Sequence, residues 1–139
     1  MAPQRHDGPA DAPISLDELF ARARDRLERV EPHEAAAAVA DGAVLIDIRD
    51  GEQRARDGEV PGAVVIPRNV LEWRCAPTSP ARQAALSDPD RRLIVMCDEG
   101  YQSSLAAATL QQLGLPLATD VVGGFQAWRA AGLPVHRPD

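Results

Sequence analysis

The chain has 139 residues, 45% of them hydrophobic and 26% charged, which is typical of one globular domain. Its 15 basic residues are all arginines, and 21 acidic residues leave a formal net charge of -6, which argues against a dedicated nucleic-acid binder. The two cysteines, Cys75 and Cys97, are too few for a disulfide scaffold. No segment has the pattern of a signal peptide or a membrane span, so we expect a cytoplasmic protein without a membrane partner.

The N-terminal part is predicted to be a tail followed by a helix. Residues 1–13 are expected to be disordered, because they are rich in Pro and Asp and have little to bury. The folded domain is predicted over residues 14–139. Its first helix is predicted over residues 15–30, where Ser15 and Glu18 form a capping-box pattern ahead of apolar residues at helical spacing.

After this helix the apolar pattern changes from helical to strand-like. A second helix is predicted to start near Pro32 and to be stopped by Gly42. Four buried strands are predicted over residues 43–49, 63–66, 93–97 and 119–122. Helices or helical turns are predicted within residues 50–59, 69–74, 80–86, 103–113 and 125–131. Strands that alternate with helices indicate an α/β fold with a mostly parallel central sheet flanked by helices.

Cys97 ends the third predicted strand. A loop containing Gly100 follows it, and Ser103 and Ser104 then open a helix. Backbone N–H groups of such a loop and the N-terminus of the helix favour an anion at the sulfur, and the thiolate is the nucleophilic form of cysteine. From spacing alone, it stays equally open that Cys97 is a small buried apolar residue at a strand end.

Three sequence blocks together resemble a known family. They are VLIDIRD (44–50) continued by GEVPGAVVIP (58–67), IVMCDEGYQSS (94–104), and VGGFQAW (122–128) continued by AGLPV (131–135). In this order and spacing, over about residues 33–136, they resemble the single-domain rhodaneses, which are persulfide-forming sulfurtransferases. The resemblance implies a rhodanese-like α/β fold in which the predicted helix 15–30 is an N-terminal extension.

The resemblance also implies a sulfur relay. The Cys97 thiolate would take sulfane sulfur from thiosulfate, a thiosulfonate or a persulfide, and a thiol or another thiophilic acceptor would then remove it. The partners are therefore a small-molecule sulfur donor and a thiol acceptor, with no metal or organic cofactor, and the oligomeric state stays open. The residues implied to bind the persulfide are those of the loop: Asp98, Glu99, Gly100, Tyr101, Gln102 and Ser103.

The loop departs from the family pattern in its charges. Asp98 and Glu99 follow the cysteine directly, where carboxylates that point into the pocket would disfavour the thiolate and repel a dianion. Gln102 stands where the family often has Arg, so a positive charge is missing. We therefore predict persulfide chemistry and leave the donor open between thiosulfate and a persulfide.

Four further residues lie near the strand ends where a site is expected. Asp47 and Arg49 are interpreted as a structural ion pair, with positioning of the cysteine loop or substrate contact as the alternatives. Arg68 and Arg74 follow the second strand, where each could bind an anionic donor or remain a solvated surface side chain. The Arg-rich stretch 22–26 is interpreted as a solvated helix face.

Two other functions, and a role for the second thiol, are compatible with parts of the sequence. A cysteine-dependent phosphatase needs an Arg six residues after the cysteine, and Ser103 stands at that position. An inactive rhodanese-fold binding or regulatory module is favoured by the acidic loop and disfavoured by the presence of Cys97 and Gly100. Cys75 could be a resolving thiol but is interpreted as an incidental loop cysteine.

Overall fold

The fold is described from a computed structural model, over residues 12–137. The predicted tail of residues 1–13 therefore lies outside the described residues up to residue 11. The strands are β1 (Val44–Asp47), β2 (Val64–Val65), β3 (Leu93–Met96) and β4 (Thr119–Asp120). The α-helices are α1 (Leu16–Asp25), α2 (Pro32–Ala40), α3 (Gly51–Asp57), α4 (Leu71–Cys75), α5 (Gln102–Gln112) and α6 (Gly124–Ala130). Two 3₁₀ turns lie at Arg68–Val70 and Ala84–Leu86.

The four strands form one parallel sheet in the order β2-β1-β3-β4. The connection from β1 leads to β2 on one side, whereas the connection from β3 leads to β4 on the other side. The carboxyl ends of β1 and β3 therefore meet at a topological switch point, where open α/β sheets bind their ligands. The α/β class predicted from the sequence is confirmed.

The helices cover both faces of the sheet because alternate residues of each strand point to opposite sides. Ile46 and Val95 face an apolar cluster that includes residues of α4 and α5. Leu45, Ile94 and Met96 face a second cluster that includes residues of α2 and α6. Helix α1 packs on α5, outside the helical layer formed by α4 and α5. Burial on both faces explains why the strands are continuous aliphatic runs.

The predicted helix 15–30 is wrong at its carboxyl end. Ser15 caps α1 as expected, accepting from the Glu18 N–H, but the helix ends at Asp25. The chain turns and Val30 joins the sheet edge instead, with its N–H donating to the Asp120 carbonyl and its own carbonyl accepting from Val122. Val30 is buried, so its burial and these two bonds outweigh another helical turn.

Other predicted elements are present but shorter. The second and fourth strands keep only two residues each in the sheet, and the predicted helix 80–86 is reduced to the 3₁₀ turn at Ala84–Leu86. The prediction of Cys75 in a loop is wrong, because Cys75 is the last residue of α4. Among the described residues, no helix combines the length and apolar character needed to cross a membrane. Within residues 12–137, no group of three His, Cys, Asp or Glu side chains is arranged to hold a metal ion.

Candidate active site

A cleft of about 750 Å³ opens at the carboxyl ends of β1, β2 and β3. Its walls come from the segments that follow these strands, at residues 48–54, 67–69 and 97–102. The predicted site residues that line it are Arg49, Arg68, Cys97, Asp98, Glu99, Tyr101 and Gln102. The predicted site residues that do not line it are Asp47, Arg74, Gly100 and Ser103.

Cys97 is buried, and its sulfur lies among hydrogen-bond donors of the loop that follows β3. The N–H groups of Gly100 and Ser103 donate to Sγ at 3.1 and 3.4 Å. The thiol itself donates to the Ser103 hydroxyl at 3.3 Å. The N–H group of Gly100 in the loop and that of Ser103 in the first turn of α5 converge on Sγ and can bind an anionic sulfur without any charged side chain.

A buried carboxylate lies behind this sulfur. Asp120, at the end of β4, is fully buried and accepts from the hydroxyls of Ser103 at 2.7 Å and Ser104 at 2.8 Å. Arg29 neutralises it, with Nε 2.9 Å from Oδ1. The Ser103 hydroxyl is therefore fixed between the sulfur and Asp120.

Glycines allow the loop to pass close to the turn before α6. Gly100 has φ +87°, and a Cβ there would lie 2.7 Å from the Gly123 nitrogen. Gly124 has φ +59°, and its Cβ would lie 2.5 Å from the Cys97 carbonyl oxygen. The Phe125 N–H donates to that same carbonyl at 2.8 Å. The block VGGFQAW therefore supports the cysteine loop from the side of α6.

The two acidic residues after the cysteine differ in placement. The Asp98 carboxylate accepts from Gln126 Nε2 at 2.9 Å and is half-buried against α6. Glu99 is exposed at the cleft wall. Gln126 also donates to Asp57, whose pKa is held below its usual value mainly by the hydrogen bond from Arg56. No local sequence pattern indicates Gln126 as the partner of Asp98, because the two residues are 28 positions apart.

Asp47 and Arg49 form a fully buried ion pair at 2.8 Å. Arg49 also donates to the Gly58 carbonyl at 2.8 Å and lies over the Phe125 ring at 3.7 Å. Its Nη1 is buried without a partner among the described residues, and the side chain borders the cleft. The interpretation of these two residues as a structural pair agrees with this geometry.

Two further arginines flank the cleft. Arg68 is paired with Glu72 at 2.8 Å, and Arg54, which sequence analysis did not single out, is paired with Glu59 at 2.6 Å. The Nε atoms of both arginines are buried without a partner among the described residues. Arg54 follows the end of β1 just as Arg68 follows the end of β2, so the strand-end rule could have found it. Arg74 instead reaches the Ala81 carbonyl at 3.4 Å.

Cys75 is a core residue rather than an incidental loop cysteine. It is fully buried in the apolar cluster of the α4–α5 face. Desolvation, with a smaller contribution from Glu72, raises the pKa of its thiol to about 11. The raised pKa keeps this sulfur protonated, and burial keeps it inaccessible. Both properties disfavour a role as a resolving thiol.

The Arg-rich stretch 22–26 is not wholly a solvated face. Arg22 and Arg26 are exposed as expected, but Arg24 is half-buried. Arg24 Nη2 donates to the Gly100 carbonyl at 3.0 Å, and Arg29 Nη2 donates to the same oxygen at 3.1 Å. No local sequence pattern predicts these contacts, because Arg24 and Gly100 are 76 positions apart.

The fold, together with a cysteine whose sulfur accepts backbone N–H groups of the following loop, defines a rhodanese-like α/β domain. Residues 31–131 match the family model described as "Rhodanese-like domain", and the chain belongs to this family. A thiosulfate sulfurtransferase GlpE of Pseudomonas savastanoi pv. phaseolicola is 35% identical over 74% of this chain and 88% of its own length. A sulfurtransferase of Allochromatium vinosum is 30% identical over 69% of this chain and 80% of its own length. The sulfurtransferase class expected from the sequence is confirmed.

A solved structure resembles nearly the whole chain. It is a protein of unknown function from Rhodopseudomonas palustris, described as a possible tyrosine phosphatase. It is 31% identical, has a TM-score of 0.81, and the match covers 98% of this chain and 100% of that one. Because the coverage is nearly complete, the likeness includes the region of α1, which precedes the family match.

Proposed function

We propose that Cys97 carries sulfane sulfur as a persulfide and passes it to a thiol or another thiophilic acceptor, in the cytoplasm expected from the sequence. The observation that carries this proposal is the position of Sγ, which accepts two backbone N–H bonds at the end of β3. The names of the curated relatives support a sulfane-sulfur donor of the thiosulfate class.

The transfer takes two displacements at sulfur. The Cys97 thiolate attacks the outer sulfur of thiosulfate, the S–S bond of the donor breaks, and sulfite leaves with the electron pair. With an organic persulfide as donor, a thiolate leaves instead. The outer sulfur of the Cys97 persulfide is then attacked by the acceptor thiolate, which becomes a persulfide while the Cys97 thiolate is released. The N–H groups of Gly100 and Ser103 would stabilise the negative sulfur in both steps.

The cleft favours an anionic reactant despite the acidic loop. Arg49, Arg54 and Arg68 border it, so three positively charged side chains lie at its walls. The Asp98 carboxylate is engaged by Gln126, which reduces its repulsion of an incoming anion. A volume of about 750 Å³ also far exceeds what thiosulfate needs, so an organic persulfide or a thiol acceptor has room.

Steady-state sulfur transfer tests the proposal. With thiosulfate as donor and cyanide as acceptor, we expect Cys97→Ser to abolish thiocyanate formation. Arg68→Met and Arg54→Met should each raise KM for thiosulfate about tenfold, since each removes a charge-assisted donor from the cleft. Arg91→Met, which alters an exposed arginine at the amino end of β3, is the matched control and should behave as the parent. Persistent turnover by Cys97→Ser would refute the proposal.

The description of the Rhodopseudomonas protein makes phosphoryl transfer a second candidate. In this chain the position six residues after the cysteine is Ser103, whose hydroxyl is bound to Asp120, and residues 98–103 contain no arginine. The planar fork that grips a phosphoryl group is therefore missing from the loop. We expect no Cys97-dependent hydrolysis of p-nitrophenyl phosphate, and such hydrolysis without sulfur transfer would favour the phosphatase.

A further inference from the structure

The carbonyl of Gly100 accepts three side-chain hydrogen bonds on the side where α1 packs. Arg24 Nη2 lies at 3.0 Å, Arg29 Nη2 at 3.1 Å and the Ser104 hydroxyl at 3.3 Å. Both guanidiniums come from the segment before residue 31, outside the part that matches the family model. The loop, in which Gln102 supplies no charge, is thus approached by two positive charges, one from α1 and one from the connection between α1 and α2.

Helix α1 also holds the next residue of the loop. The Tyr101 ring stacks edge-on against Phe20, with ring centroids 5.8 Å apart. The Arg24 guanidinium lies 5.5 Å from the Tyr101 ring and 5.3 Å from the Phe20 ring. Arg24 therefore contacts the loop at two successive residues, through the carbonyl of one and the ring of the other.

A second connection runs from Arg29 to the reacting sulfur. Arg29 binds both carboxylate oxygens of Asp120, at 2.9 and 3.2 Å. Asp120 in turn accepts from Ser103 Oγ at 2.7 Å, and Ser103 Oγ lies 3.3 Å from Cys97 Sγ. The orientation of the Ser103 hydroxyl beside the sulfur thus depends on a carboxylate that Arg29 holds in place.

We propose that Arg24 and Arg29 are positioning residues of the sulfur-transfer site. By binding the Gly100 carbonyl, they keep that oxygen on the α1 side of the loop and leave the loop N–H groups directed at Cys97 Sγ. The Gly100 carbonyl belongs to the peptide group that joins Gly100 to Tyr101. Because glycine restricts the rotation of this group less than other residues do, the group can turn when the arginines do not bind its oxygen. A carbonyl oxygen turned toward a thiolate or a persulfide anion would repel it instead of stabilising it.

The inference rests on the proposed function for its activity, but one readout is independent of sulfur transfer. Alkylation of Cys97 by iodoacetamide requires only the thiolate. Peptide mass spectrometry after digestion follows Cys97 separately from Cys75. A parent protein that transfers no sulfur would overturn the proposed function, while the alkylation rates would still test the positioning role.

The variants are Arg24→Met and Arg29→Lys, with Arg22→Met as control. Arg24→Met keeps an unbranched apolar stem against Phe20 and removes the guanidinium. Arg29→Lys keeps a positive charge opposite Asp120 but cannot bind the carboxylate in a bidentate manner and reach the Gly100 carbonyl as well. Arg22 is on the same helix and is exposed, and within residues 12–137 its ion-pair partner is Glu18.

Both variants should lower kcat by about tenfold or more, with a smaller change in KM, because misplaced donors act mainly on the developing anion. Cys97 alkylation at neutral pH should slow relative to alkylation at alkaline pH, and Arg22→Met should match the parent. Thermal melting identifies any variant that does not fold. If one variant fails to fold, the other variant tests the positioning role. Parental kcat and a parental ratio of alkylation rates in a folded Arg24→Met or Arg29→Lys protein would overturn the proposal.

Discussion

Cys97 and Cys75 border the same apolar cluster, but their sulfurs have different surroundings. Cys97 lies at the open carboxyl end of the sheet, where two backbone N–H groups and a hydroxyl are within hydrogen-bonding distance. Cys75 lies deeper in the core, and burial raises its pKa to about 11. The backbone donors around Cys97 and the deeper burial of Cys75 together separate the nucleophilic candidate from the inert thiol.

Iodoacetamide labelling of the folded protein should therefore be selective. At mildly alkaline pH we expect Cys97 to be carboxamidomethylated while Cys75 stays unmodified, because its thiol is both protonated and inaccessible. Unfolding in guanidinium chloride should expose Cys75 to the reagent. Peptide mapping by mass spectrometry measures both sites at once, and equal labelling of the two cysteines in the folded state would contradict this assignment.

At the scale of elements, the cysteine loop is held from two sides. The turn before α6 approaches so closely that only glycine fits at position 124, and α1 binds the Gly100 carbonyl from the other side. The loop itself contributes the N–H groups that face the sulfur. The geometry of the candidate site is thus a property of three elements that are distant in sequence.

Substitution of Gly124 separates close approach from backbone conformation. Gly124→Ala should lose about 1–2 kcal/mol for its left-handed backbone, and about 2 kcal/mol more for the collision of its Cβ with the Cys97 carbonyl. Gly132 has a similar φ of +75°, but an added Cβ there meets nothing within 4 Å. Gly132→Ala should therefore lose the first amount only. Denaturant unfolding measures both free energies, and equal losses would show that the turn does not constrain the loop.

The sequence predicts correctly those parts of the fold and of the candidate site that a local pattern determines. Aliphatic runs marked the strands, and the position of Cys97 at a strand end indicated the cleft, because the carboxyl ends of parallel strands lie together. The end of α1 was not predictable in this way. Val30 leaves the helical pattern because β4 offers it burial and backbone partners, and both depend on tertiary packing.

The partners of charged side chains were the least predictable part of the site. Charge and spacing alone suggested a solvated Arg24 and did not indicate a partner for Asp98, but packing brings Arg24 to Gly100 and Gln126 to Asp98. Each contact joins residues tens of positions apart, so no local pattern records it. For the same reason Cys75 was placed in a loop, although α4 carries it into the core.

For the whole molecule, a net charge of -6 is combined with a candidate active-site cleft that arginines border. The net negative charge would repel an anionic donor at long range, whereas the guanidinium groups of Arg49, Arg54 and Arg68 at the cleft would attract it at short range. The N-terminal extension adds two more arginines behind the loop. The proposed roles of these arginines all require one event, the transfer of a sulfur atom to Cys97.

Mass spectrometry of the intact protein and its peptides tests that event most directly. After incubation with thiosulfate or with an organic persulfide, we predict a mass increase of one sulfur atom, located on the peptide that contains Cys97 and removed by cyanide. Cys97→Ser should show no increase, and Cys75→Ser should be loaded like the parent. Absence of added sulfur on Cys97 with every donor, or loading of Cys97→Ser, would contradict the account.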